Sequence, residues 1–489
     1  MKIRYIFLMV YLAVFAGCSD FLDITPKDKQ TDKQLFATKS GFYVAANGIY
    51  NGIASENMYG RVLTYEAIEV MGKRYEIKTA SPYFYYQQEQ SYTQGVMPTV
   101  LSTVWENAYS LAMACNLLIE NINAQEGLLT AAEADIMRGE MLAARAFLHF
   151  DILRLFGPRF AGDPEIKTIP YNESSQMKVL PLLSFGDVAG KILDNLEEAE
   201  KLLKENDPVI ANGPMASVGD EGTAIQLRYR QLRFNYYSVI ALKARVSLYA
   251  GYKDKALIEA YKLLRDPAVS RYFPPVDAAK LLANYSNPDR VFSTEVLMGI
   301  YQKNRSLAYT RYFGSESAGL SFLHPHENYV TTNLFGGETQ DYRYQSQWQN
   351  ATGVGMSGHV LVKYKEIDRP DTDDLESEYF YATLISLLRL SEVYYIAAEC
   401  EPVIADGYAW LNTMRGRRGL AAHTVVSAQD LMTRLRQEYL REFIGEGQTF
   451  YLYKRLGANM LASENGSANA VSNYSEANYM PPFPEREMK

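Results

Sequence analysis

Apolar residues recur along most of this chain at the three- and four-residue spacing that marks one face of a helix. From Thr99 to Ile122 the stripe is Val104, Leu111, Cys115, Leu118 and Ile122. From Ala131 to Phe156 it is Met141, Ala144, Leu148, Ile152 and Leu155, closed by Gly157 and Pro158. Phe185–Leu203 is amphipathic with acidic outer positions, and Phe234–Ala250 is rich in alanine and tyrosine, stops at Gly251 and gives way to Lys253–Leu264. The same period predicts helices over Leu384–Cys400, Tyr408–Arg417 and Ala428–Leu456, and an early one from about Thr31 through Leu35, Phe42, Ile49 and Tyr50.

Two stretches break the period. Residues 72–98 and 301–382 are rich in Gly, Tyr, Asn, Gln and Ser and carry no helical stripe. A connection of that second length is far beyond ordinary loops and points to function or disorder, and its aromatic content argues against disorder. The helix pair 234–250 and 253–264 is similar to a tetratricopeptide hairpin, with small residues where two helices must approach closely. Leu388–Cys400 with Gly407–Met414 repeats that pairing without a strict period. The expected fold is all-α, a tetratricopeptide-like helical-repeat scaffold with a loop-rich face.

The N-terminus reads as an export signal. Lys2 and Arg4 precede an apolar run from Tyr5 to Ala16, too short to span a bilayer, which needs roughly 20 residues. Phe15-Ala16-Gly17-Cys18 resembles a bacterial lipobox, which predicts cleavage after residue 17 and acylation of Cys18. Stable anchoring needs more than one acyl chain at about 0.8 kcal/mol per buried methylene. Residues 1–17 are thus expected to be a signal peptide, 18–33 a polar lipidated tether and 34–489 a single domain, with loop-rich insertions near 72–98 and 301–382.

Composition narrows the function. Net charge is −8, or −10 without Lys2 and Arg4, which argues against nucleic-acid binding by counterion release. Cys115 and Cys400 sit in helical apolar contexts and read as small buried hydrophobes, and their pairing is open. Of the five histidines only His324 and His326 are close in sequence, and no ligand-spaced Cys or carboxylate set accompanies them, so no metal or other cofactor is expected. Gly353, Gly355 and Gly358 match a dinucleotide fingerprint on paper, but they lead into an apolar strand pattern at His359–Lys363 and not into a helix. No P-loop, nucleophile elbow or zinc-protease motif occurs.

The 38 tyrosines supply stiff rings with an apolar face and a hydroxyl. A sugar-binding face needs such plates beside amide, guanidinium or carboxylate groups. Ser81–Gln88, with Tyr83, Tyr85 and Tyr86, has that composition, and so does Thr339–Asn350, with Tyr342, Arg343, Tyr344 and Trp348. Strand alternation would set Tyr342, Tyr344 and Trp348 on one side and Arg343 on the other. Packing of these aromatics against the body is the competing reading.

Several segments together resemble the SusD/RagB family of outer-membrane nutrient-binding lipoproteins. These are Asp20–Asp23 and Gly41–Tyr50, Ala144–Phe147 with Phe150–Gly157, Leu388–Val393, Leu411–Arg415, Arg441–Phe443 with Glu446-Gly447 and Phe450–Leu452, and Pro482–Glu485. The resemblance implies a lipid-anchored, surface-exposed outer-membrane protein that binds oligosaccharide and caps a SusC-like TonB-dependent transporter. It implies a binder and not an enzyme, with glycan sites drawn from the two loop regions above. A peptide-binding lid of the same transporter type is the alternative, and a surface glycoside hydrolase a further one, since 57 acidic residues supply carboxylate pairs in abundance.

Overall fold

The computed structural model describes residues 32–77, 81, 83–125, 127–160, 162–214, 225–282, 287–314, 322–353, 356–368, 379–461, 464–466 and 475–488. The expected signal peptide, Cys18 and all of the tether but residues 32 and 33 lie outside them. Two compact units are distinguished, residues 1–45 and 46–489. In the first, buried Phe36 and Phe42 meet edge to face at 5.1 Å.

Helices of eight or more residues are α1 Lys39–Ile53, α2 Met97–Ala124, α3 Ala131–Phe156, α4 Phe185–Asn206, α5 Tyr236–Tyr249, α6 Lys253–Leu264, α7 Leu390–Cys400, α8 Ile404–Arg417, α9 Ala428–Glu442 and α10 Thr449–Leu456. From α2 to α9 each packs on the next, the tetratricopeptide-like array the pattern predicts. Sequence sets the boundaries. Thr130 and Glu133 form a reciprocal capping box on α3, with Glu133 N–H donating to Thr130 Oγ1 at 3.3 Å and Thr130 N–H to Glu133 Oε2 at 3.0 Å. Asn235 and Ser238 do the same for α5, and the Ser184 and Ser427 hydroxyls cap α4 and α9.

Helix α3 is the central rod, buried at every residue from Gly139 to Phe156. Its polar side chains are therefore paired. Arg145 reaches Asn116 and Asn195, His149 Nε2 accepts from the Asn172 amide at 2.9 Å, and Asp151 accepts from the Tyr59 hydroxyl at 2.8 Å and from Arg154 at 2.7 Å. Burial pushes His149 down to about 3, so it is neutral. A Cβ on Gly139 would lie 2.9 Å from Leu203 Cγ, which is how α4 approaches so closely.

Two expected helices are divided. Leu384–Arg389 is a strand, β4, antiparallel to β1, Val296–Tyr301, with Ile300 opposite Ile385. All six of its residues are buried, and a short, uniformly apolar run carries no period to separate strand from helix. Ala428–Leu456 breaks after Glu442, where Gly445 and Gly447 take φ of 74° and 68°. Strands β2, Trp348–Gly353, and β3, Met356–Leu361, pair antiparallel, so the glycine-rich segment lies in a hairpin.

Helix α6 packs directly on α7, so residues 265–389 leave the array and return to it. A buried charged joint ties them down. Arg343, Lys363 and Arg389 of this segment meet Glu438, Glu442 and Glu446 in and after α9. Arg415, Arg418 and Arg441 join Glu295, Glu338 and Asp341 to the same cluster. Six cations thus face six carboxylates, all but Glu338 nearly solvent-free. Burial alone would raise the Glu438 and Glu442 carboxyls. The surrounding guanidiniums outweigh it, holding Glu438 at about 2 and Glu442 well below the usual carboxylate range.

Candidate ligand-binding site

The first predicted cluster lies beside a buried carboxylate. Glu66, wholly buried in the turn after α1, accepts from the Tyr312 hydroxyl at 2.7 Å, from the Tyr83 hydroxyl and from the Arg61 guanidinium. Arg61 Nη1 also donates to the Tyr83 oxygen at 3.2 Å. Burial, and then the Glu66 charge, push the Tyr83 phenol up to about 12 and raise Tyr312, so both stay protonated donors. Burial would lower the Arg61 guanidinium, but Glu66 raises it above its ordinary value.

Aromatic rings extend from this knot. Phe84 stands edge-on to Tyr83 and Tyr312 at 5.0 and 5.8 Å, and Tyr65 lies 6.2 Å from Tyr312 and 5.4 Å from Tyr364. The rim is charged. Half-exposed Arg311 and mostly buried Arg61 both approach Glu56, at 3.7 and 3.4 Å. On the same π-helical segment as Tyr312, Tyr309–Phe313, the Tyr309 ring lies 5.7 Å beneath Lys365 Nζ, which donates to exposed Gln349 at 3.3 Å. The composition that sugar recognition requires is thus assembled, with Tyr83 and Arg61 part-exposed and the Phe84, Tyr65, Tyr312 and Tyr364 rings buried behind them as support. Tyr85 and Tyr86 are half-buried neighbours at 5.4 Å on the short helix Tyr85–Gln88, and Gly95, at φ 56°, passes under the Tyr86 ring.

The second predicted cluster is arranged differently from the expectation. Tyr342–Gln347 is a helix, not a strand, started by the Asp341 carboxylate accepting from the Arg343 amide at 2.9 Å. Residues two apart on a helix diverge, so Tyr342 and Tyr344 do not share a side. Tyr342 packs on Val276, Leu281 and Phe292 and crosses Gly419. Tyr344 stands edge-on to Phe335 at 5.3 Å and meets His359 Nε2 at 3.1 Å. Arg343 is wholly enclosed in the charged joint, and Trp348 is 6% exposed. The structure therefore gives Arg343 a positioning place, not a surface one, and brings Tyr83 together with Arg61, Glu66, Tyr65 and Tyr312, none of which the sequence reading singled out. Tyr312 lay in the tyrosine-rich 301–382 stretch; Arg61 and Glu66 carried no signal beyond flanking a turn.

Among the described residues, one acidic group has metal-like spacing, Glu197, Glu200 and Glu259. The Lys243 ammonium contacts all three, and Lys262 contacts Glu200 and Glu259, so each donor is already engaged by a lysine. His324 and His326 turn to separate neighbours, Phe322 and Tyr329. Cys115 and Cys400 are buried free thiols. No described helix is long and apolar enough to cross a membrane.

Two family models match the chain, one described as the SusD family over residues 284–488 and one as starch-binding, associating with outer membrane, over 20–209. A search of curated protein sequences finds no match. Solved structures share the fold. A SusD-like carbohydrate binding protein from Bacteroides vulgatus aligns at TM-score 0.67 and 22% identity, over 92% of this chain and 96% of its own. A laminarin binding SusD-like protein aligns at 0.62 and 17%, over 92% and 97%. Surface glycan-binding protein A from Bacteroides thetaiotaomicron aligns at 0.63 and 17%, over 93% and 97%.

Proposed function

Because the chain belongs to the SusD/RagB family, we propose that it is a surface glycan-binding protein of the outer membrane, anchored through a lipid on Cys18, which captures oligosaccharide and hands it to a SusC-like TonB-dependent transporter. The observation that carries the binding reading is the Glu66 knot. One buried carboxylate fixes two phenols and a guanidinium beside a wall of aromatic rings and a charged rim. A sugar face lies against the half-buried Tyr83 ring, and sugar hydroxyls donate to the Tyr83 oxygen and accept from the remaining N–H groups of Arg61. Two structural neighbours, the laminarin binding SusD-like protein and surface glycan-binding protein A, support the ligand class. The reading is capture without turnover, which the carbohydrate-binding neighbours support.

Calorimetric titration against neutral α- and β-glucan oligosaccharides tests it. Binding without release of reducing ends is expected, and Tyr83→Ala combined with Tyr312→Ala should weaken it at least about tenfold, as loss of aromatic area and directed hydrogen bonds requires. Unchanged affinity in that variant would remove the site from this face. Co-purification of a TonB-dependent transporter with the lipidated protein, and its loss on Cys18→Ala, tests the delivery and anchoring steps.

A further inference from the structure

The turn that carries Arg61 and Glu66 runs directly into the short helix Ala67–Met71, and a second buried carboxylate, Glu69, stands at the middle of that helix. Glu69 Oε1 accepts from the Gly445 amide at 2.9 Å and from the Tyr75 hydroxyl at 3.0 Å, and its Oε2 accepts from the Gly447 amide at 2.9 Å. The bend between α9 and α10 thus hangs on one side chain. Gly445 and Gly447 take φ of 74° and 68°, which lets both N–H groups turn to the same side, a backbone arrangement that binds anions. The seating is close. A Cβ on Gly447 would lie 2.7 Å from the Leu63 carbonyl oxygen and 2.8 Å from that of Thr64, and a Cβ on Gly72 would lie 2.9 Å from Thr449 Cβ.

Three paths lead from this clamp to the Glu66 knot. The Glu66 carbonyl accepts from the Val70 amide at 2.8 Å, so the short helix sets where the Glu66 side chain starts. The Tyr75 ring, whose hydroxyl Glu69 holds, lies 5.9 Å from Phe313, the residue after Tyr312 on the π-helical segment. The Gly445 carbonyl accepts from the Tyr364 hydroxyl at 2.7 Å, and the Tyr364 ring lies 5.4 Å from Tyr65. One carboxylate therefore fixes both the origin of Glu66 and the rings that support the part-exposed contacts.

We propose that Glu69 is a positioning residue of the ligand site: by clamping the Gly445–Gly447 bend to the segment that carries Arg61 and Glu66, it holds the Arg61–Glu66–Tyr83 arrangement in register. Ligand affinity then depends on a wholly buried carboxylate that no sugar reaches. The proposal rests on the glycan reading for the identity of the ligand alone; the clamp stands on this geometry.

The test is a double-mutant cycle in the full-length protein, with maltohexaose and laminarihexaose as probes. Glu69→Gln keeps the side-chain volume and turns an N–H₂ toward one of the two amides, and it should weaken the tighter probe at least about fivefold. Tyr83→Phe should weaken that probe about three- to tenfold in the wild-type background and less than about twofold in the Glu69→Gln background, because the ring no longer stands where its hydroxyl serves. Gly407→Ala, a destabilising change in α8, should leave the affinity unchanged, which separates positioning from loss of stability. A second readout needs no ligand. In heteronuclear spectra of the tyrosine ring carbons, with the Tyr83 signal assigned through Tyr83→Phe, Glu69→Gln should move that signal toward its position in Glu66→Gln. If neither probe binds, the ligand class is in error, and the Tyr83 signal still decides the clamp. Should Glu69→Gln fail to fold, Tyr75→Phe, which removes one donor to Glu69 and leaves both amides, takes its place with the same expectations at smaller size. An unmoved Tyr83 signal, or Tyr83→Phe losses of equal size in the two backgrounds, overturns the proposal.

Discussion

Replacing Glu442 by Gln removes one charge from the centre of the buried joint while keeping its volume. The Glu442 carboxylate accepts from Arg343 at 3.0 Å, from Arg389 at 2.7 Å and from Arg418 at 3.0 and 2.6 Å. At about 1.5–3 kcal/mol each, four charge-assisted bonds would exceed the whole stability of many domains, and that sum double-counts. Arg418 retains Glu295, Arg343 retains Asp341 and Glu438, and Arg389 retains Glu446. What cannot be restored is neutrality, because six cations then face five carboxylates, and the new amide turns an N–H₂ toward a guanidinium. Breaking one partner of a buried pair costs about 3–5 kcal/mol, which is the expected loss. Urea unfolding followed by circular dichroism, with the midpoint shifted and the slope preserved, measures it. A loss under about 1 kcal/mol would refute the account of a shared, balanced cluster. Acid provides an independent reading. A carboxyl held down in the fold adds stability above its unfolded value, near 4.3, and loses it as pH falls toward its folded value. For Glu438, held at about 2, this amounts to about 3 kcal/mol lost between roughly pH 4.5 and 2. Glu438→Gln should flatten that part of the acid profile, and an unchanged profile would contradict the assignment.

Three smaller outcomes are expected. Burial pushes the Cys115 and Cys400 thiols up to about 12, so iodoacetamide at pH 8 should label neither in the native protein and both in guanidinium; mass spectrometry decides. A Cβ on Gly407 would lie 2.7 Å from Leu431 Cδ2 and 2.8 Å from the Ala398 carbonyl, so Gly407→Ala should cost about 1–3 kcal/mol, whereas Gly48→Ala, with nothing within 4 Å, should be neutral or stabilising by urea melts. His149, held neutral down to about 3, should show imidazole resonances that do not titrate between pH 8 and 4.

The helical array was legible because its signals are local. The stripe through Met141, Leu148 and Ile152 is real core, and Gly157 ends its helix as read. Leu384–Arg389 was misassigned because a strand buried on both faces has no period, and Ala428–Leu456 because Gly445 and Gly447 look like ordinary interruptions until their φ values are known. The ligand face was legible as composition and not as arrangement. Tyr342 and Tyr344 read as strand partners because spacing alone cannot distinguish two residues on an extended chain from two on a short helix. Arg343 read as a ligand-binding candidate because its four carboxylate contacts come from residues 341, 438 and 442, and two of those lie about a hundred positions away. Arg61 and Glu66 were silent because a carboxylate becomes informative only when Tyr83 and Tyr312 are seen to converge on it.

The abundance of buried charge follows from the loop-rich face itself. A segment without regular secondary structure enters the protein with carbonyls that no ladder satisfies, and each must find a donor. Here long cationic and amide side chains reach them. Arg305 donates to the Tyr381 carbonyl, Lys363 to that of Ile444, Arg441 to that of Leu334 and Gln347 to that of Arg290, while Arg245, Arg305 and Gln231 reach the Leu387, Leu384 and Val296 carbonyls of the short β1–β4 pair. Several of these cations are balanced by carboxylates, Glu392, Glu438 and Glu446 pairing with Arg245, Arg441 and Lys363. The joint is thus the consequence of docking irregular backbone on a helical array. Because these bonds are directional, they fix where Tyr309, Tyr312 and the β2–β3 hairpin stand in a way that apolar packing alone would not. The rigidity of the proposed ligand face is therefore set some distance behind it, and substitutions at Arg389 or Glu446 should loosen glycan binding without touching a single sugar contact.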